Sequence, residues 1–249
     1  MIESFLIFIG TIIMEIIDSG LGMMYGTLLT PILLLIGYPV SSVIPAILIS
    51  QAVGGITGTI FHHKYKNADF NGLTNHMKIV IAFVSIGIIA VILGVSLASK
   101  IPDTILKIYI GIMVIIMGLL CLITFRYKFK WWKIYLIGFI SSFNKSTTGG
   151  GFGPLSSTGK IICGVDSKVS IATTTLAEVP ICLLGFAMYV ILNGFPEKMF
   201  TLTLILGAAI GGIIGPYICS KLDKTKLKKI VGILAIISGI LILLKVFLK

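Results

Sequence analysis

The sequence has 249 residues, of which 57% are hydrophobic and 12% are charged, and its net charge is +11. A soluble globular chain carries about twice that charged fraction, so the composition excludes an ordinary soluble domain and predicts an all-α, polytopic membrane protein. The basic residues cluster in short loops between apolar segments. This follows the positive-inside rule for membrane proteins and argues against a nucleic-acid-binding surface.

Ten apolar segments follow one another along the chain, five in each half. Each half has two short pieces around a polar, Gly-rich break and then three longer segments. The short pieces, roughly 12–15 residues each, predict a hairpin or broken helix whose polar tip lies inside the membrane. The first segment lacks the features of a cleaved signal peptide, so we expect it to stay in the mature protein. The predicted segments are 4–17, 23–37, 42–61, 78–99, 104–125, 132–145, 151–163, 168–192, 199–219 and 228–248.

The two halves are also similar in sequence. Residues 94–118 align with residues 215–239 at a constant offset of 121, with identities at glycine and lysine positions as well as apolar ones. Gln51 aligns with Glu178 at an offset of 127. The sequence therefore predicts an internal duplication, with one transmembrane repeat at 1–127 and a second at 128–249.

The basic loops predict how these repeats lie in the membrane. If the loops around 62–78, 126–133 and 221–229 are cytoplasmic, both chain termini lie outside. The first repeat then begins outside and the second begins inside, so the two copies have opposite orientation. Inverted repeats of this kind build many secondary transporters, with the binding site near the membrane midplane.

Few ionisable residues remain at membrane depth: Glu15, Asp18, Lys145 and Glu178. Such a group is expensive in the membrane unless it is paired or hydrated, so each is a functional candidate by default. Glu15, Asp18 and Glu178 are the candidates for proton coupling.

The breaks offer glycine, hydroxyl groups, one lysine and the free N–H groups that open a half-helix, which together suit a small oxyanion. The predicted substrate-binding residues are Ser19, Gly20, Gly22, Gln51, Asn144, Lys145, Ser146, Thr147, Thr148, Gly149, Gly150, Gly151 and Thr174.

Each of these features also has a structural interpretation. Thr173–Thr175 would then only back-bond to their own helix, Lys145 would close the bundle as a salt-bridge partner, and Glu15 would lie near a membrane surface. His62, His63 and His76 are expected in a solvated loop. We expect the four cysteines to be packing residues without disulfides. The glycines for which close helix packing is expected are Gly54, Gly55, Gly58, Gly211, Gly212 and Gly215.

Two motifs resemble a known family. A Gly-rich break is followed by LLTPILLLIGYP (residues 28–39) in the first half, and TTGGGFGP (147–154) occupies the second break. The chain resembles the TauE/SafE family of sulfite and organosulfonate exporters along nearly its whole length. The resemblance implies outward movement of a sulfur-containing anion without ATP-binding parts. The first break, GLGMMYG, departs from the family's glycine cluster, so the two half-sites are expected to be unequal.

These observations predict a secondary transporter that exports sulfite or an organosulfonate, with proton coupling and without a cofactor. The alternative is a cation or divalent-metal permease in which Glu15, Asp18 and Glu178 are ligands and Lys145 is a tethered counter-cation. An enzyme is not expected, because the sequence has no nucleophile–base constellation and no HExxH motif. The expected partners are the small anion, the lipid bilayer and a second copy in a homodimer, with no nucleic acid.

Overall fold

The computed structural model describes residues 2–22, 24–122, 130–221 and 224–248. Within these ranges the chain forms ten α-helices and no β-strand, which confirms the predicted all-α architecture. The predicted boundary between the repeats, at 127/128, lies outside the described residues. The helices are α1 (Ile2–Leu21), α2 (Tyr25–Ile36), α3 (Val40–Lys64), α4 (Asn75–Ala98), α5 (Asp103–Leu122), α6 (Trp131–Thr148), α7 (Phe152–Ile162), α8 (Ser167–Asn193), α9 (Lys198–Lys221) and α10 (Lys224–Phe247).

By length and composition, six of the described helices can cross a membrane: α1, α3, α4, α5, α8 and α9. Their outward faces carry large apolar side chains such as Ile89, Ile112 and Leu202, which are about half exposed and suit a lipid environment. The helices α2 and α7 have 12 and 11 residues. They rise about 18 and 16 Å and so reach only about halfway through a bilayer.

The helices α1 and α6 continue past the ends that the sequence predicted. The predicted segments ended at residues 17 and 145, whereas the helices end at Leu21 and Thr148. Asp18 and Lys145 bind partners inside the bundle, so their polar groups do not have to leave the apolar region. With 20 residues, α1 is also long enough to span a membrane, which corrects the expectation of a short first piece.

The centre of the bundle is the contact between α3 and α8. Leu48 faces Gly185 and Gly55 faces Val179, so the two helices run in opposite directions. Each of them also packs against a further long helix: α3 against α9, and α8 against α4. The helices α5 and α10 pack against each other. Gly111 faces Gly239 and Gly118 faces Gly232, so this pair is also antiparallel.

The helix α1 lies along α9 in the same direction. Gly207 contacts Thr11 and Gly215 contacts Ser19, so the order of contacts is the same along both helices. A Cβ at Gly215 would lie 2.6 Å from that of Ser19, which shows how closely the backbones approach. Small residues allow such approach between membrane helices. The glycines for which packing was predicted all lie at such helix contacts: Gly54, Gly55, Gly58, Gly211, Gly212 and Gly215.

The most extensive helix contacts keep their pattern when each helix of α1–α5 is exchanged with its counterpart in α6–α10. The contact of α1 with α9 then corresponds to that of α6 with α4, and α3 with α9 corresponds to α8 with α4. The pairs α3–α8 and α5–α10 exchange with themselves. A duplicated bundle would produce this pattern, and the opposite orientation of the copies in the membrane stays a prediction.

Candidate functional site

A buried ion pair lies between α6 and α8. Lys145 Nζ is 2.8 Å from Glu178 Oε1, and the two side chains are only 2% and 4% exposed. The same ammonium donates a hydrogen bond of 2.6 Å to Gln51 Oε1 on α3. Because the ammonium is only a donor, it fixes which end of the Gln51 amide faces it.

The other end of this amide extends the contact to α1. Gln51 Nε2 donates to Asp18 Oδ2 at 2.7 Å and approaches Glu178 Oε2 at 3.5 Å. We call Asp18, Gln51, Lys145 and Glu178 the central network. Four helices, two from each half of the chain, supply one residue each.

The four residues of the central network occupy positions that correspond in the internal alignment of the two halves. At the offset of 127 that relates Gln51 to Glu178, Asp18 corresponds to Lys145. Two pairs of equivalent positions therefore meet at one place, but their chemistry differs. One pair has an anion opposite a cation, and the other has a neutral amide opposite an anion.

Glu15 lies one turn before Asp18, but it faces a different neighbour. Its Oε1 accepts a hydrogen bond of 2.6 Å from Ser19 Oγ, and its buried Oε2 has no hydrogen-bond partner. A Cβ at Gly54 would lie 2.7 Å from the Glu15 carboxyl carbon, and one at Gly211 would lie 2.5 Å from its Cβ. Glu15 is 1% exposed and is therefore buried within the bundle, and its depth in the membrane stays a prediction.

A glycine in the left-handed conformation lies in each break, Gly22 with φ 71° and Gly149 with φ 72°. Other residues rarely adopt this conformation. Each of these glycines lies against a hydroxyl residue of the other half. The Gly22 carbonyl accepts a hydrogen bond of 2.5 Å from Ser157 Oγ. A Cβ at Gly149 would lie 3.0 Å from Thr30 Oγ1.

The two breaks also contact each other through their backbones. Gly26 faces the Gly149 carbonyl so closely that a side chain at position 26 would overlap it. Across the same contact, Gly151 N donates to Thr27 Oγ1 at 3.0 Å. The breaks therefore form one unit and not two separate hairpin tips.

The protein itself occupies part of the predicted anion-binding groups at these breaks. Tyr25 N, which opens α2, donates to Asp18 Oδ1 at 2.9 Å. The Gly151 N–H at the start of α7 is taken by Thr27. These two backbone N–H groups and the Lys145 ammonium are thus all paired within the protein.

Most of the predicted hydroxyl donors are already used within their own helices. Ser146 and Thr147 donate to the Phe143 carbonyl at 3.0 and 2.8 Å, and Thr148 donates to the Asn144 carbonyl at 2.7 Å. Asn144 itself accepts a hydrogen bond of 2.5 Å from Tyr109 OH. These residues shape the end of α6, and none of these bonds reaches the Lys145 ammonium.

Thr173–Thr175 each back-bond to their own helix, as the structural interpretation predicted. Thr174 also contacts Ser156 and Ser157 at 3.0 Å, which forms a hydroxyl cluster between α7 and α8.

Two predicted site residues, Ser19 and Gly20, lie against α9 and outside the central network. A Cβ at Gly20 would lie 3.3 Å from the Gly215 carbonyl oxygen. Gly150 lies against Gly26, at the contact between the breaks.

The profile of the family described as "Sulfite exporter TauE/SafE" matches residues 6–242. The chain belongs to the TauE/SafE family. A probable membrane transporter protein, YtnM of Bacillus subtilis (strain 168), is 26% identical over 241 residues, covering 90% of this chain and 77% of the relative. No solved structure matches the chain. The resemblance seen in the sequence is thus confirmed, and this TauE/SafE protein is a multi-pass membrane transporter and not an enzyme.

Two observations concern the cation-permease alternative. Within the described ranges, no three His, Cys, Asp or Glu side chains are grouped to hold a metal ion. The Lys145 ammonium lies beside Glu178, the place that this alternative gives to a tethered counter-cation. The structure corrects one of the histidine predictions. His62 was expected in a solvated loop, but it is buried beside Asn67, which lies in the turn after α3.

Sequence reasoning missed Lys160 of the TauE/SafE protein. A lysine near the end of a short segment normally extends its ammonium to the membrane interface, so the sequence did not predict Lys160 as a site residue. In the structure it is 0% exposed, and its Nζ donates to Thr173 Oγ1 at 2.9 Å. The available signal was its position three and four residues after Ser157 and Ser156, on the polar face of α7.

Proposed function

We propose that this TauE/SafE protein is a secondary transporter that exports a small sulfur-containing anion, sulfite or an organosulfonate, and that Lys145 binds the anion. The buried ammonium of Lys145 is the observation that carries the proposal. A lysine is expensive at this depth unless a partner of opposite charge is present. The family's description as sulfite exporters supports both the substrate class and the outward direction.

The current partners of Lys145 suggest how an anion could enter. Glu178 holds the ammonium with one carboxylate oxygen at 2.8 Å. A sulfite or sulfonate oxygen offers the same charge-assisted hydrogen bond and therefore competes with Glu178. We propose that proton movement at one of the three buried carboxylates, Glu15, Asp18 or Glu178, is coupled to this exchange.

The position of the central network supports alternating access around it. Gln51 is the twelfth of 25 residues in α3, and Glu178 is the twelfth of 27 in α8, so both lie near the middle of long helices. We propose that the two halves are inverted repeats that rock about this point. The parallel pairing of α1 with α9 and the antiparallel pairing of α3 with α8 support that arrangement.

Anion flux in proteoliposomes tests the role of Lys145. We expect the wild type to move sulfite and methanesulfonate, Lys145→Met to reduce flux by about tenfold or more, and Lys145→Arg to retain part of it. Lys168→Met is the matched control because Lys168 is exposed, and it should transport like the wild type. Absence of flux from the wild type, or normal flux from Lys145→Met, would overturn the proposal.

The pH dependence of methanesulfonate flux tests the role of Glu178. This substrate stays a monoanion at neutral and mildly acidic pH, so only the protein titrates. We expect a pH gradient imposed across the membrane to change wild-type flux, because the proposed coupling links the movement of a proton to that of the anion. Glu178→Gln should remove the pH dependence, whereas Glu15→Gln should keep it. If Glu15→Gln alone removes it, Glu15 and not Glu178 carries the proton.

A further inference from the structure

We propose that Lys160 and Thr173, beside the ring of Phe83, form a second anion-binding station, between the central network and the membrane side at which α7 ends. This proposal rests on the proposed function, since it adds a step on the path of the same anion. The station would receive the anion on that side and pass it to Lys145.

The first argument is that Lys160 lacks the partners a buried ammonium requires. Its Nζ donates to the Thr173 hydroxyl at 2.9 Å and lies 4.8 Å from the centre of the Phe83 ring. In the part of the chain that the structure describes, no carboxylate lies within 4.0 Å of it. An ammonium has three N–H donors, and a buried one is costly without a counter-charge. A bound anion would supply that charge.

The second argument is a polar connection along α8 from Lys160 to the central network. Thr174 lies four residues before Glu178 and on the same face of α8, and Thr173 lies next to it, five residues before Glu178. A separation of five residues corresponds to about 8 Å along the helix axis. An anion at Lys160 would therefore be within one short step of Glu178 and its partner Lys145.

The third argument is a set of unused hydrogen-bond donors along α6. Gly138 packs against Phe83, and Ser141, Ser142 and Lys145 follow it at helical spacing on the same side. The hydroxyls of Ser141 and Ser142 are fully buried, and among the described residues they have no hydrogen-bond partner. Buried polar groups are normally satisfied, so these two point to an unaccounted polar ligand or water on this path.

The station exists on one side of the bundle only. At the offset of 127 residues, Lys160 corresponds to Leu33, and Thr173 corresponds to Ala46. Leu33 and Ala46 are fully buried, so the equivalent position between α2 and α3 is apolar. The duplication thus provides an internal comparison in which one side attracts an anion and the other does not.

Sided flux measurements separate this role from simple packing. Proteoliposomes of uniform orientation are given methanesulfonate on one side or the other, and KM is measured for each. Lys160→Met keeps the length of the side chain and removes its charge. We expect it to raise KM by about tenfold on the α7 side and to leave KM on the opposite side unchanged, because only one path loses a charge-assisted contact. Lys160→Arg should rescue the α7 side, and Lys168→Met should have no effect. An unchanged KM, or an equal rise on both sides, would overturn the proposal.

A binding experiment keeps this inference testable if the transport proposal fails. Selenate is used as a probe and located by its anomalous scattering in crystals of the wild type and of Lys160→Met. We expect a selenate within hydrogen-bond distance of Lys160 in the wild type and none there in the variant. If the wild type moves neither sulfite nor methanesulfonate, the proposed function fails, while selenate at Lys160 would still support the anion site. Wild-type crystals without selenate at Lys160 would refute the station.

Discussion

The ion pair between Lys145 and Glu178 allows a test that separates transport from bundle closure. Lys145→Met removes the ammonium and leaves the Glu178 carboxylate buried, with the Gln51 amide as its remaining neighbour at 3.5 Å. Glu178→Gln added to this variant removes the unpaired charge. The amide that it introduces can also donate to Gln51 Oε1, which accepts from Lys145 in the wild type.

The expected magnitudes follow from the burial of the pair. Because the two side chains are 2% and 4% exposed, solvent does not screen the charge that is left behind. Breaking a buried pair by removing one partner destabilises a protein by about 3–5 kcal/mol, whereas neutral replacement of both partners is often tolerated. For a chain of this size we expect Lys145→Met to lower the Tm by about 6–20 °C. The double variant should recover most of this loss.

Thermal unfolding in detergent and flux in proteoliposomes should be measured on the same four proteins: wild type, two single variants and the double variant. We expect stability and transport to separate, with the double variant folded but inactive. If the double variant is as unstable as Lys145→Met, the loss does not come from the unpaired carboxylate and the reasoning fails. If it is stable and transports like the wild type, Lys145 only closes the bundle.

Two further predictions concern the contact between the breaks. Gly26→Ala should destabilise the protein by about 1–3 kcal/mol or more and abolish transport, because its Cβ would overlap the Gly149 carbonyl. Gly10→Ala is the control, because no atom lies within 4 Å of a Cβ at that position. The Tm and the flux of both variants are measured. Ser157→Ala should cost about 1–3 kcal/mol because it leaves the buried Gly22 carbonyl without its donor. Hydrogen exchange should then show faster opening at the first break, and an unchanged exchange pattern would contradict this.

The central network was accessible from the sequence because its members are polar residues in an apolar chain. Lys145, Gln51 and Glu178 stood out for that reason, and the alignment of Gln51 with Glu178 indicated that they occupy equivalent places. The structure brings them together with Asp18 in one network. Their role in transport stays a prediction.

The contact between the breaks could not be predicted in the same way. Gly26 and Gly149 are more than a hundred residues apart, and nothing in local propensity states which backbone meets which. The hydroxyl groups show a related limit. Ser146 and Thr148 were predicted to face an anion, but in a helix the nearest acceptor for such a side chain is a carbonyl of the preceding turn. Residue type alone does not distinguish these two uses.

Lys160 and the ends of α1 and α6 were missed for a common reason. Hydropathy treats a polar residue as a boundary, and a lysine near a boundary as interfacial. A polar residue can instead be buried in the bundle when another helix supplies a hydrogen-bond partner. Thr173 is that partner for Lys160, and Gln51 is that partner for Asp18 at the end of α1.

The central network also bears on how the protein is made. The helices α1 and α3 are synthesised before α6 and α8. Until those helices are present, Asp18 and Gln51 lack their contacts with Lys145 and Glu178. Glu15 also contacts Gly211, which lies in α9 and is therefore synthesised after α6 and α8. The first half alone is thus a folding intermediate with unpaired polar side chains at membrane depth. These side chains need hydration by water or protection by a chaperone until the second half has been inserted. The contacts of these buried polar residues are therefore completed only after α9 has been inserted.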